Sequence, residues 1–281
     1  MENDGRNLKI DIPTLVAISI VAWIVVVSLH EIVGHAVPAV LMGLDVRMVT
    51  STGVDIPTDQ VSYDLSSSGK ARILLAGGTV VNLLTGTIAL ILLHIRKQIS
   101  KAFQYFLWLF TTFSFVIVIM YLVSATAIGA GDWIGFIQES VPRNLYISII
   151  IGIGILFALP GYALPLWEWM PNLKGNRLIL LKITFVPVLA LTITQILSTL
   201  RSPYLNEKGG QNTLLASVFV CIHVLIWAIL VNLIPVPRSS KGIEGIGLGR
   251  SPFWLVAGIV FFLIFVLILG SGIGPLGGIG N

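Results

Sequence analysis

Long apolar runs, broken only by short polar stretches, divide this chain into segments of membrane-spanning length. Seven stand out, near residues 13–39, 72–95, 103–128, 144–167, 177–200, 212–236 and 252–270. About twenty apolar helical residues cross roughly 30 Å of hydrocarbon. The fourth run is interrupted by Pro160, Gly161 and Pro165, which a membrane tolerates only where neighbours or water satisfy the freed backbone; with it in question, the count lies between six and eight. The polar stretch 40–71 carries the β-rich Val46-Arg47-Met48-Val49-Thr50-Ser51, then Gly53, Pro57 and a Ser66-Ser67-Ser68-Gly69 turn. This pattern predicts a short hairpin at the membrane surface, or else a plain connector. The expected fold is all-α, a polytopic transmembrane bundle of about seven spans with a small β-hairpin after the first.

Composition excludes the main rival class. With 56% hydrophobic and 11% charged residues, the chain has about half the charge fraction of a soluble domain. Its net charge of +4 reflects basic loops and no nucleic-acid surface. His94-Ile95-Arg96-Lys97 with Lys101 is the strongest basic cluster, so that loop is expected in the cytoplasm, as are Lys174 with Arg177 and Arg238 with Lys241 and Arg250. Lys70, Arg72, Arg201 and Lys208 fall on the other side. The acidic N-terminal stretch (Glu2, Asp4, Asp11) does not resemble a signal peptide. We therefore expect a cytoplasmic tail 1–12, a three-span unit 13–135, a helical bundle 136–270 and a flexible glycine-rich tail 271–281. The single Cys221 allows no internal disulfide.

One polar cluster interrupts the first run: Leu29-His30-Glu31-Ile32-Val33-Gly34-His35-Ala36, with two of the four histidines. Ionisable side chains at membrane depth are costly and mark function by default. Two imidazoles and a carboxylate offer metal ligands and a proton carrier. Zinc hydrolases use H-E-x-x-H, which puts both histidines on one helical face; here the gap is one residue longer. On a regular helix, residues i and i+5 point roughly 140° apart. A π-turn, eased by Gly34, would bring them together. Alternatively Glu31 and His35, four apart, share the ligand face with His30 beside them.

Two histidines need a third protein ligand, leaving one position for water. His94 reads as an interfacial histidine at the far end of the second run, and His223 as a hydrogen-bonded core histidine. Asp132, in Gly129-Ala130-Gly131-Asp132-Trp133, directly follows the third run. Spans one and three run parallel, so His30, His35 and Asp132 share the outer half of the membrane. The second run begins there with Ala76-Gly77-Gly78-Thr79-Val80-Val81-Asn82. Asp132 also reads as a turn aspartate, and Asn82 as a helix-packing asparagine.

These residues resemble the site-2-protease-like (M50) intramembrane zinc metallopeptidases. The resemblance rests on His30-Glu31-Ile32-Val33-Gly34-His35-Ala36, Met42-Gly43-Leu44-Asp45-Val46 before the hairpin, Ala76 to Leu84, and Gly131-Asp132-Trp133. It covers about residues 25–135. It implies that His30, His35 and Asp132 hold Zn2+, that Glu31 is the general base, and that Asn82 orients substrate or stabilises an oxyanion. The chain departs from the pattern at the lengthened spacing and at Thr79, where many members have proline. Asn232-Leu233-Ile234-Pro235-Val236-Pro237 also resembles a family element, but Ser240 stands where its aspartate is expected. The segment is either part of the site or a proline-stopped helix end.

The expected activity is hydrolysis of peptide bonds in membrane-associated substrates, with substrate strand addition to 46–51 as one means of presentation. Three other readings use the same residues: an inactive relative acting as scaffold or regulator, a metal-dependent hydrolase of lipid amides or esters, and an ion or proton pathway. The bilayer and a transmembrane protein substrate are the expected partners.

Overall fold

A computed structural model describes residues 10–56, 69–95, 99–128, 131–137, 142–158, 177–206, 210–234 and 247–275. Helix α1 runs over Ile12–Leu41, followed by strands β1 (Met48–Thr50) and β2 (Gly53–Asp55). Next come α2 (Gly69–Ile95), α3 (Lys101–Ile128), the short α4 (Asp132–Ile137) and α5 (Pro142–Phe157). The chain continues through α6 (Arg177–Thr199), α7 (Gly210–Leu233) and α8 (Pro252–Leu269). Six of these helices are long and apolar enough to cross a membrane. The molecule is a multi-pass helical bundle with one small antiparallel sheet.

The first and last helices run parallel. At their starts, Asp11 N–H donates to the Leu248 carbonyl (2.8 Å) and Ser251 N–H to the Thr14 hydroxyl (3.0 Å). At their ends, Val49 and Ile273 exchange two backbone hydrogen bonds of 2.8 Å. Between α3 and α6 lies the predicted fourth span, whose described helix is shorter than the six long enough to cross a membrane. Its described part, α5, begins beside the end of α3, where Ser148 Oγ donates to the Leu122 carbonyl. α6 begins at the opposite end, where its Ile183 carbonyl meets Tyr105 near the start of α3. Sixteen residues of α5 reach about 24 Å; Pro160, Gly161 and Pro165 lie outside the described residues.

Large aromatics fill the centre: Trp23, Tyr105, Trp108 and Phe113 are fully buried, and Trp23 meets Phe113 edge-to-face at 5.7 Å. Buried hydroxyls return to the backbone; Ser19 donates to Leu15 O and Thr184 to Leu180 O, satisfying each where no water competes. Pro187 sits inside α6 and cannot donate to Ile183 O, so Tyr105 Oη–H takes that carbonyl at 2.7 Å. Outward faces stay apolar, as at Leu189, Ile193, Phe253 and Ile259, because lipid is their solvent.

Gly43, with φ +79°, ends α1. Leu44 N–H bonds back to Ala39 O, a Schellman closure that needs a left-handed residue. The chain then turns into the hairpin, where Met48 pairs with Asp55 and Thr50 with Gly53. The expected hairpin is present, and the Ser66–Gly69 turn falls largely outside the described residues. The start of the predicted flexible tail is ordered against β1: beyond the Val49–Ile273 pair, Ser51 N–H donates to Leu269 O (3.1 Å). Gly272 (φ +87°) and Gly274 allow this approach, since a Cβ on either would collide with Met48. Residues 276–281 lie outside the described residues.

Candidate metal centre

The extra residue of His-Glu-x-x-x-His is absorbed by the backbone. Leu29–Ala36 is π-helical, and Val37 N–H closes it on Ile32 O, five residues back. Two residues account for the wider turn. Pro38 has no N–H for the Gly34 carbonyl, and its ring crowds that oxygen. Gly34 lies flat on α2, where a Cβ would overlap the Gly77–Gly78 backbone; a Cβ on Gly77 would in turn overlap Gly34 O. The two helices therefore touch backbone to backbone. With i→i+5 periodicity, the His30 and His35 rings come to 5.1 Å between centroids. Of the two arrangements open from the spacing, this is the π-turn.

Each imidazole is held through its Nδ1. His35 Nδ1–H donates to the Leu74 carbonyl at 2.8 Å, leaving buried Nε2 with a lone pair and no hydrogen-bond partner. His30 Nδ1 meets the Asn82 carboxamide at 3.0 Å. There Nδ2 donates, and the buried Oδ1 has no partner among the described residues. A metal on Nε2 requires the Nδ1–H tautomer, for which Asn82 must present its oxygen, an amide orientation that exchanges two near-identical atoms. Asn82 is fully buried. Its carboxamide lies against His30 Nδ1.

Asp132 completes the group. Gly131 (φ +83°) turns the chain into α4, and Asp132 Oδ2 lies 3.5 Å from His35 Nε2. Arg72 fixes α4 through a 3.0 Å hydrogen bond to Phe136 O and by stacking over the Phe136 ring; Trp133 Nε1–H donates to Ser148 Oγ at 2.8 Å. One ligand atom each from His30, His35 and Asp132 lies within 4.8 Å of the others. Tetrahedral zinc with bonds near 2.0–2.1 Å sets its ligands about 3.4 Å apart. The His35–Asp132 pair already meets that spacing, and the widest pair would need to close by roughly 1.4 Å. A Cβ on Gly78 would strike Nε2 of both histidines, so glycine leaves open the space where the two rings converge. Donor chemistry, an unpartnered buried nitrogen and this cradle all fit a metal ion.

Beside the ligands opens a cavity of about 720 Å³, lined by His30, Glu31, Tyr121 and Gly131 and by the hairpin-turn residues Ser51 and Thr52. Sequence reasoning missed Tyr121. It lies in a second π segment, Met120–Ala125, where Thr126 Oγ1 donates to its carbonyl, five residues back. Its ring stacks on His30 at 5.4 Å and 12°, with Gly131 packed against the other side. One tyrosine thus spaces His30 from the turn carrying Asp132. No motif marks it, and only its place one span from an aspartate could have hinted at it. The far wall of the cavity comes from α6 and α7, through Gln195, Ser217 and Phe219. This gives the C-terminal helices a place at the site that their sequence does not suggest.

The other candidates lie elsewhere. His94 donates to Leu90 O at the opposite end of α2. His223 is closed on both nitrogens, by Phe219 O and the Ser124 hydroxyl, each at 2.7 Å. Asn232 donates to Thr184 Oγ1 and Ala228 O, twelve residues, or about 18 Å, beyond the cavity-lining Val220; residues 235–246 lie outside the described residues. Comparison with known proteins adds no name, since no family model, curated protein or solved structure matches the chain.

Proposed function

We propose that this protein is a membrane-embedded zinc metallopeptidase that hydrolyses peptide bonds of membrane-associated substrates, a divergent relative of the M50 enzymes its motifs resemble. The observation that carries this reading is the meeting of His30, His35 and Asp132 at one point, with Glu31 beside them on a cavity within the bundle. Nothing in helix packing calls for the buried, unpartnered Nε2 of His35 at that depth.

His30, His35 and Asp132 would hold the metal, and zinc when bound supplies an acidified water and a polarised carbonyl. The Leu74 carbonyl holds His35 in the tautomer that leaves Nε2 free, and Asn82, with its amide turned to present oxygen to Nδ1, would do the same for His30. Glu31, adjacent to His30 and facing the cavity, takes the proton from the attacking water and delivers it to the leaving amine. Tyr121 and the hairpin turn shield the site. The basic residues His94, Lys101, Arg177 and Arg250 lie at the opposite end, which supports a non-cytoplasmic placement of hairpin and site. Because β1 already pairs with Ile273, a substrate strand cannot add to that edge without displacing the chain's own segment.

The test is metal content of the purified protein, followed by turnover of a reconstituted transmembrane substrate. Near one zinc per chain is expected, with Glu31→Gln keeping the metal and losing turnover by about 10²-fold or more. Full turnover in Glu31→Gln would remove the base assignment. A metal-free protein after zinc loading would leave the scaffold reading in its place.

A further inference from the structure

The far wall of the cavity carries a buried amide with one acceptor for its two N–H donors among the described residues. Gln195 of α6 is 4% exposed and lines the cavity with His30 and Glu31. Its Oε1 accepts from Trp23 Nε1–H at 3.0 Å. Its Nε2 carries two donors, and the partner found for it among the described residues is Ser217 Oγ, at the 3.5 Å limit. That hydroxyl is already engaged with Thr199 Oγ1 (2.8 Å) and Thr213 O (3.1 Å). Among the described residues, then, at least one amide N–H has no acceptor in a mostly apolar enclosure, where a ligand acceptor is worth most.

Its position relative to the metal group follows from α1. Trp23, which holds Gln195, precedes His30 by seven residues on the same helical face, or about 10 Å. An extended polypeptide covers that distance in about three residues.

We propose that Gln195 is a substrate-recognition residue that donates to a backbone carbonyl of an extended polypeptide about three residues from the scissile bond. This rests on the metallopeptidase reading and narrows it. A peptide in extended form presents a carbonyl at every residue, whereas the acyl chain of a lipid amide has no acceptor 10 Å from its head. A site built around a buried donor discriminates against a ligand that leaves it unpaired. The C-terminal helices thereby select polypeptide over lipid, while the N-terminal spans carry the chemistry.

The experiment uses hydroxamates as metal-binding probes on the full-length, zinc-loaded protein in detergent. Acetohydroxamate has no tail, N-acetylated trileucyl hydroxamate has three amide carbonyls beyond its hydroxamate, the last about three residues away, and dodecanoyl hydroxamate has a chain without further carbonyls. Two variants are compared with the parent: Gln195→Met, which keeps the volume, and Trp23→Phe with Gln195→Leu, which removes both partners of the side-chain pair. We expect both variants to lose about 3- to 10-fold affinity for trileucyl hydroxamate and to bind acetohydroxamate as the parent does. Unchanged trileucyl binding in both variants overturns the role of Gln195 and leaves the metal site standing. Dodecanoyl hydroxamate binding more tightly than the trileucyl probe to the parent overturns the polypeptide assignment in favour of lipid. Absence of acetohydroxamate binding to the parent, with no zinc retained, overturns the metallopeptidase reading itself.

Discussion

Two histidine sites at membrane depth differ in one respect that separates packing from chemistry. His223, between α7 and α3, has both nitrogens engaged, one by its own helix and one by Ser124. His30 and His35 are each anchored on Nδ1, by Asn82 and Leu74 O, and their second nitrogens converge over Gly78. A structural histidine in lipid is satisfied twice, because an unmet polar atom there is costly. His35 is instead satisfied once, with its buried Nε2 left without a hydrogen-bond partner, the condition a metal ligand requires. The same contrast holds between asparagines: Asn232 bonds two ordinary partners, whereas Asn82 bonds the imidazole.

The largest break in this comparison should come from the ligands. His30→Ala and His35→Ala are each expected to take bound zinc from near one per chain to background. His223→Ala should leave metal content unchanged and cost about 1 kcal/mol from its lost hydrogen bonds, read as a lower Tm in detergent. Metal loss in His223→Ala would erase the distinction.

Gly78→Ala tests the cradle next. The added Cβ would strike both Nε2 atoms, so metal binding should fail together with about 1–3 kcal/mol of stability from overpacking. Gly154→Ala in α5, where a Cβ meets nothing within 4 Å, should be neutral or stabilising by up to about 1 kcal/mol. Asn82→Leu should act more gently than ligand loss. Zinc stays bound with affinity lowered about 10- to 100-fold, measured by chelator competition; an unchanged affinity would show that Asn82 merely packs.

The smallest effect lies at the opposite end of α1. Asp11 caps the helix by accepting from Thr14 N–H and its hydroxyl. The hydroxyl bond is the main cause that holds its carboxyl below the usual range. A lowered folded-state pKa gives stability that is present above the ordinary carboxylate pKa and is lost as pH falls through the lowered value. Asp11→Ala should therefore reduce Tm at neutral pH, with the gap to the parent narrowing in acid. Metal content should not change, in contrast to the variants at the other end.

The bundle was legible because hydropathy is a local property: each apolar run states its own burial in lipid, and α1, α2 and α3 begin and end within a few residues of their predicted bounds. The metal-ligand cluster was partly legible, since His30, Glu31 and His35 stand out against apolar neighbours and Asp132 follows a span parallel to theirs. Tyr121 and Gln195 were not. Aromatic and amide residues in membrane helices are common, and nothing near them in sequence separates a cavity wall from ordinary packing. The contacts at the start of the glycine-rich tail were not legible for a related reason. Gly272 and Gly274 suggest flexibility on their own, yet here glycine is what lets Ile273 approach β1.

By itself, then, the sequence determined a multi-pass helical bundle, a hairpin after the first span and a polar cluster of metal-ligand type within that span, because composition and spacing act over a few turns of chain. Tertiary structure decided which turn absorbs the extra residue, that Nε2 of His35 is left without a partner, and which helices close the cavity. Those outcomes depend on Gly34 meeting Gly77 and Gly78, on Leu74 meeting His35, and on Gln195 meeting Trp23. Such contacts join residues dozens to more than a hundred positions apart, and no local pattern encodes a pairing that only packing brings together.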